Sequence, residues 1–346
     1  MNKNEICIDV RDLKIHFPAR SGLAGKVSGW TKAVDGISFT VKKGEVFAIV
    51  GESGCGKTTA AQAIMGLLKP TSGSIEINIG DSSNDKNPKI WDNLNAAQRK
   101  DLRREMQIVF QDPYSSLNPR MTVKSILEEP LIIHKLGSQK ERAARIDELL
   151  NQVGLSKSYL DRYPHEFSGG QRQRIGIARS LATSPKLIVA DEPVSALDVS
   201  IQAQIINLLQ DMQTTYSQTL LFISHDLAVV RHIANRIAVM YQGKIMEMGS
   251  DDQIFSSTLH PYTELLLKSV PTIKKSQNSE RKLTDKKEPS ADKTSEDKSQ
   301  NENNEHRGCS FYPRCPIRTE QCRSESPQLE DFGDGHLCAC FKAKSK

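Results

Sequence analysis

The sequence predicts an α/β fold: a mostly parallel sheet with helices on its faces and a smaller antiparallel sheet beside it. Three observations carry that expectation. Short, almost wholly apolar runs bounded by turn residues, "EVFAIVG", "KLIVADE" and "TLLFISHD", read as buried strands. Amphipathic helical segments lie between them. The first 50 or so residues show strand-like runs with no helix between, "CIDVRDLKIHF" and "ISFTVKKGEVF".

The helical segments carry their own signals. In "ERAARIDELLNQVG", Ile146, Leu149, Leu150 and Val153 fall on one apolar face, and Gly154 offers a C-terminal cap. In "IQAQIINLLQDM", Ile201, Ile205, Leu208, Leu209 and Met212 repeat that spacing. From about 271 to 307 the chain is polar and charged, with Leu283 its one large apolar side chain from 274 on. Such a segment buries too little surface to offset its ordering entropy and reads as a disordered linker. The chain thus divides into a globular unit at 1–270, a linker at 271–307, and a cysteine-rich end at 308–346.

Composition narrows the function classes. The 346 residues are 37% hydrophobic and 26% charged, the balance of a water-soluble globular chain with a polar appendage. A net charge of +5 is mild and does not mark a nucleic-acid binder. No apolar run approaches the roughly 20 residues of a membrane span, and the N-terminus lacks the apolar core of a signal peptide. The expected location is the cytosol, where thiols stay reduced.

Chemistry enters at "GESGCGKTT", Gly51 to Thr59, which matches G-x-x-x-x-G-K-[ST] between a strand run and the helix-compatible "AAQAIMGLL". The glycines let backbone N–H groups turn inward around phosphate oxygens at a helix N-terminus. Gly51, Glu52, Ser53, Gly54, Cys55, Gly56, Lys57, Thr58 and Thr59 form this candidate cradle. Lys57 is placed to reach the β- and γ-phosphates, and the Thr58 hydroxyl to ligate Mg²⁺. "LIVADE" delivers Asp191 to a strand end as a second Mg²⁺ ligand, with Glu192 beside it to polarise an attacking water.

With "FSGGQRQRIGIAR", Phe167 to Arg179, these motifs resemble the ABC-type ATPases, over roughly residues 5 to 270. Phe167 stands where that family most often has Leu. The resemblance implies a cassette with a RecA-like parallel sheet core, an antiparallel β subdomain, and a helical subdomain at about 112–167. It makes Gln111 the Q-loop residue and a further Mg²⁺ contact, "SALD" with Asp198 the D-loop, and His225 the switch histidine. It also implies head-to-tail pairing, so that Ser168, Gly169, Gly170 and Gln171 serve the nucleotide held by a partner's cradle. Phe17 is the candidate for stacking on adenine; the alternative for it is a buried strand aromatic.

"VFQDPYSSLNPRMTV", "ADEPVSALDVSIQAQIINLL" and "HPYTELLL" resemble the oligopeptide/dipeptide importer ATPases, and "AVDGISF" the F-type subunit of those systems. The implied partners are a D-type ABC ATPase, two transmembrane permease subunits and an extracytoplasmic peptide-binding protein, with this chain peripheral on the cytoplasmic face of the membrane. The same machinery importing nickel or glutathione is the alternative. A soluble ABC ATPase acting on nucleic acid is disfavoured: the chain has one ATPase domain, and only about 56 residues separate Gln111 from Ser168.

Five of the seven cysteines lie near the C-terminus: Cys309, Cys315, Cys322, Cys338 and Cys340. Cys309, Cys315, Cys322 and Cys340 are spaced C-x5-C-x6-C-x17-C, without the close C-x2-C pair usual for structural zinc. The spacing allows a four-thiolate iron–sulfur cluster. Zinc and no metal remain the alternatives. Peptide-importer ATPases carry a similar motif, and that resemblance implies [4Fe–4S] with Cys340 as the fourth ligand and Cys338 as runner-up.

Overall fold

The computed structural model describes residues 5–21, 26–79, 88–269 and 308–343. The expected linker lies outside these described residues.

Two sheets stack. The smaller is antiparallel, in the order β2 (Lys26–Lys42), β1 (Ile6–Ser21), β4 (Ser72–Ile77). The larger has eight strands. Its centre is β3 (Val46–Val50), flanked by β7 (Thr219–Ser224) and β8 (Arg236–Tyr241). Outside β7 lie β6 (Leu187–Asp191) and then β5 (Met106–Val109), all parallel. Outside β8 the sheet turns antiparallel through β9 (Lys244–Ser250), β11 (Leu337–Cys338) and β10 (Glu330–Asp331).

The helices in chain order are α1 (Lys57–Ile64), α2 (Ala96–Glu105), α3 (Pro113–Ser116), α4 (Val123–Ile133), α5 (Gln139–Gln152), α6 (Gly169–Leu181), α7 (Val199–Tyr216), α8 (Leu227–Ile233), α9 (Asp251–Ser256), α10 (Pro261–Lys268) and α11 (Glu320–Ser324).

Why the strand runs are wholly apolar is visible in β3. Val46, Ala48 and Val50 point into a core shared with α4–α8, while Phe47 and Ile49 point into a second core under the antiparallel sheet and α1. A strand buried on both faces has no polar side to alternate with. The expected helix in "ERAARIDELLNQVG" is α5. Ile146, Leu149 and Leu150 are buried, Ser138 and Glu141 form a capping box at its start, and Gly154 ends it at φ 67°.

"ISFTVKKGEVF" does not form one strand. It breaks at Lys43–Gly44 into β2 and β3, which belong to different sheets. Gly44 takes φ 70°, and Glu45 anchors the corner by accepting from the Lys42 amide at 2.6 Å and from Arg236 at 3.2 Å.

The cysteine-rich end is no free appendage. β11 extends the core sheet, with Leu337 opposite Met248 and Cys338 opposite Glu247. Glu247, fully buried, accepts from the amides of Leu259 and His260 at 2.8 and 3.0 Å and pairs with His336 Nε2 at 2.8 Å. That satisfies a buried carboxylate which would otherwise be costly. Phe311, also fully buried, packs against Tyr241, Tyr262 and His260 at centroid distances of 5.4, 5.3 and 5.7 Å.

Candidate active site

The strand order brings the ends of β3, β7, β6 and β5 side by side at one edge of the sheet. The loop Gly51–Gly56 follows β3, His225 follows β7, Asp191 ends β6, and Gln111 lies just past β5. Parallel strands all release their C-terminal ends at this edge, so residues far apart in sequence converge there.

The cradle is shaped by close approach. A Cβ on Gly51 would stand 2.1 Å from the Met240 carbonyl oxygen, and one on Gly56 would stand 2.1 Å from that of Ala33. Gly56 takes φ 107° and leads directly into α1, whose first residue is Lys57. The Lys57 ammonium is buried and donates to the carbonyls of Gly51 at 2.8 Å and Glu52 at 3.1 Å. Burial pushes the Cys55 thiol up, and its side chain lies inside the loop.

Across the cradle, the Thr58 hydroxyl donates to Asp191 Oδ1 at 3.1 Å. Burial pushes the Asp191 carboxyl above the ordinary range, with Glu192 adding to the rise and the Thr58 bond opposing it. An adjacent hydroxyl and carboxylate are the hard oxygen donors that Mg²⁺ takes, so the residues present fit that ion, whose charge would reverse the direction of the shift.

Glu192 is the hub. It sits at φ 45°, an unfavourable region for a residue with a Cβ, and is nearly buried. Its Oε2 accepts from Gln111 Nε2 at 3.1 Å and lies 3.0 Å from His225 Nδ1, while Oε1 lies 3.7 Å from the Lys57 ammonium. A carboxylate only accepts, so this contact places the imidazole proton on Nδ1. Glu52, Ser53, Gln111, Glu192 and His225 line one cavity of about 730 Å³ together with Ser195 and Leu266.

Other expected residues stand apart from this cluster within one chain. Ser168 caps α6, its hydroxyl accepting from the Gln171 amide while Gln171 reaches back to the Ser168 amide at 3.0 Å. Gly169 and Gly170 form the first turn of that helix, and none of these four residues lines the 730 Å³ cavity. Asp198 caps α7 through its carbonyl, which accepts from the Gln202 amide at 2.8 Å. Phe17 lies on β1 opposite Thr31 and is 41% exposed, so it is not a core aromatic.

Cys309, Cys315, Cys322 and Cys340 line one small cavity beside His260 and Phe311. Cys338 is not among them; it is 1% exposed and lies in β11. Burial is the first cause holding the thiols of Cys309, Cys315 and Cys340 above their ordinary range. Among the described residues no group of three or more His, Cys, Asp or Glu stands arranged to hold a metal ion.

Two contacts had no signal in the sequence. The Glu52 amide donates to the Tyr262 hydroxyl at 3.1 Å, and the Glu52 carboxylate is gripped by Arg314 from the C-terminal end. These partners lie 210 and 262 residues away in the chain.

Comparison with known proteins shows what the chain resembles. A family model described as "ABC transporter" matches residues 34–195, and one described as "Oligopeptide/dipeptide transporter, C-terminal region" matches residues 246–322. The chain is 48% identical over 338 residues to the oligopeptide transport ATP-binding protein AppF of Bacillus subtilis, covering 97% of each. It is 45% identical over 343 residues to the dipeptide transport ATP-binding protein DppF of Haemophilus influenzae, covering 99% of this chain and 98% of that one. Among solved structures, the dimeric post-hydrolysis state of the ATP-binding cassette MJ0796 bound to ADP and Pi matches with a TM-score of 0.60 and 29% identity. That match covers 70% of this chain and 98% of that one.

Proposed function

The chain belongs to the ATP-binding proteins of oligopeptide/dipeptide ABC transporters, and from that membership we propose how its own side chains perform the work. Its activity is ATP hydrolysis that powers peptide import, in an assembly with membrane permeases and a substrate-binding protein. Among the described residues no helix is long and apolar enough to cross a membrane.

The observation that carries the reading is the convergence of Lys57, Thr58, Asp191, Glu192, Gln111 and His225 at one sheet edge. The backbone amides of Gly51–Thr59 cradle the phosphates at the start of α1, where the helix dipole favours anions. Lys57, now bonded to two loop carbonyls, turns its ammonium to the β- and γ-phosphates. Thr58 and Asp191, with Gln111, hold Mg²⁺, which when bound offsets charge on the phosphates. Glu192 accepts the proton of the attacking water, and His225 and Gln111 fix the direction of its Oε2. Phe17 offers an exposed ring to the adenine.

Ser168, Gly169, Gly170, Gln171 and Asp198 act on a nucleotide held by a second ATPase subunit. None of the five lines the chain's own cavity, which supports that reading. We assign that partner to a D-type chain, with two permeases, on the cytoplasmic face of the membrane. Purification of the tagged complex yields a distinct second ATPase polypeptide; recovery of a homodimer alone contradicts the assignment.

For the extension we propose [4Fe–4S] on Cys309, Cys315, Cys322 and Cys340. The shared cavity and the burial of Cys338 in a strand support this set of four thiols, which would supply the thiolate ligands of such a cluster. Anaerobically purified protein is brown, absorbing near about 400 nm; colourless protein with stoichiometric zinc contradicts it.

Lys57→Ala removes the only ammonium in the cradle loop. The expected result is ATP affinity reduced by about 100-fold or more, since charge-assisted bonds to phosphate are the strong ones. Equilibrium dialysis checks it, and affinity within threefold of the unaltered chain contradicts it.

A further inference from the structure

We propose that Arg314 is a positioning residue of the nucleotide site, neutralising the carboxylate of Glu52 inside the phosphate cradle. The inference rests on reading Gly51–Thr59 as that cradle.

Glu52 is an awkward residue for its place. A triphosphate is polyanionic, and a carboxylate in the loop that binds it repels the ligand unless a cation is held against it. Arg314 supplies that cation in a two-pronged grip, Nη1 to Oε2 at 2.8 Å and Nη2 to Oε1 at 2.9 Å. Two parallel bonds fix both the charge and the direction of the carboxylate, which a lysine ammonium does less well. The same residue is held at two further points. Its amide donates to Tyr262 and its carbonyl accepts from Lys57. Glu52 is therefore clamped from three sides, and two of the clamps lie after residue 260.

Arg314 is itself placed by the fold of the extension. It ends a short 3-10 turn, Tyr312–Arg314, that lies between Cys309 and Cys315. The Tyr312 amide donates to the Cys309 carbonyl at 2.9 Å, and the Cys309 amide to the Cys322 carbonyl at 2.8 Å. Phe311, one residue before the turn, is the buried anchor. The guanidinium lies 5.9 Å from the Tyr241 ring centroid, against an aromatic wall that limits its freedom. The loop carrying two of the clustered thiols thus ends on the phosphate cradle.

The pair is about two-fifths exposed on each side, so its effect is modest and screened by salt. In the full-length chain with Mg²⁺, Arg314→Ala weakens ATP binding by about three- to fivefold at low salt, and the defect shrinks as salt is raised. Arg314→Lys falls between. The decisive variant is Glu52→Gln with Arg314→Ala, which restores affinity to within about twofold of the unaltered chain because no uncompensated carboxylate remains. Glu52→Gln alone binds ATP more tightly than the unaltered chain, because Arg314 is then an unopposed cation at the cradle, and affinity equal to that of the unaltered chain overturns the proposal. In the assembled importer, Arg314→Ala raises KM for ATP and leaves kcat unchanged.

Unaltered affinity in Arg314→Ala overturns the proposal, and so does a double variant as weak as Arg314→Ala, which would make Arg314 only an anchor. Weaker binding by Glu52→Gln alone also overturns it. If the unaltered chain and Lys57→Ala bind ATP equally, it is the cradle reading that fails, and this inference falls with it.

Discussion

Replacing Glu192 by Gln leaves ATP bound and removes most of its hydrolysis. Gln has the shape of Glu and retains an acceptor for Gln111 or His225, so the cavity and the phosphate cradle are preserved. What it loses is the capacity to take a proton from water. Glu192 is nearly buried, held at φ 45°, and has both carboxylate oxygens near donors, which fixes its direction in the cavity. Asp191 lies beside it but is engaged with Thr58. A general base contributes about 10²–10⁴-fold to rate, so phosphate release by the assembled importer falls by that factor while nucleotide affinity holds. Near-normal turnover would remove Glu192 from the role assigned to it.

Phe311→Ala loosens the Cys309–Cys322 segment of the extension from the core. The ring is fully buried among Tyr241, Tyr262 and His260. Its truncation costs about 3–5 kcal/mol in a packed site. The loss is felt locally, because β11 still pairs with β9 and His336 with Glu247. Opening of the Cys309–Cys322 segment becomes about 10²–10³-fold more frequent. In metal-free protein, alkylation of the buried thiols of Cys309 and Cys322 accelerates by the same factor. An unchanged alkylation rate contradicts the anchoring role.

How much of this was legible beforehand depended on the range of the signal. β3, β6 and β7 are buried on both faces, so their central residues are apolar and stand out in any window. The cradle carries a local pattern, and its strand-before, helix-after context is local too. Asp191, Glu192 and His225 were legible as candidates because each directly follows or ends such a strand. The alternation in "ISFTV" ends at Val41 and "KKGE" is polar, but nothing local shows that the chain passes there from one sheet to another.

The extension was misjudged for a related reason. β10 and β11 have two residues each, too few for any periodicity, and a polar stretch precedes them. The pairing of β11 with β9, the burial of Phe311 and the grip of Arg314 on Glu52 are all contacts across the whole chain. The thiols that follow this polar stretch lie against the sheet whose strand ends form the candidate site.

ATP hydrolysis in this chain drives peptide across a membrane. That coupling is tested most directly by uptake of a labelled peptide into liposomes holding the purified importer with its binding protein, with ATP supplied on the side of this subunit. The predicted result is concentrative uptake that requires hydrolysable ATP and is lost with Glu192→Gln in this chain. Uptake that proceeds without ATP, or ATP turnover that moves no peptide, would contradict it.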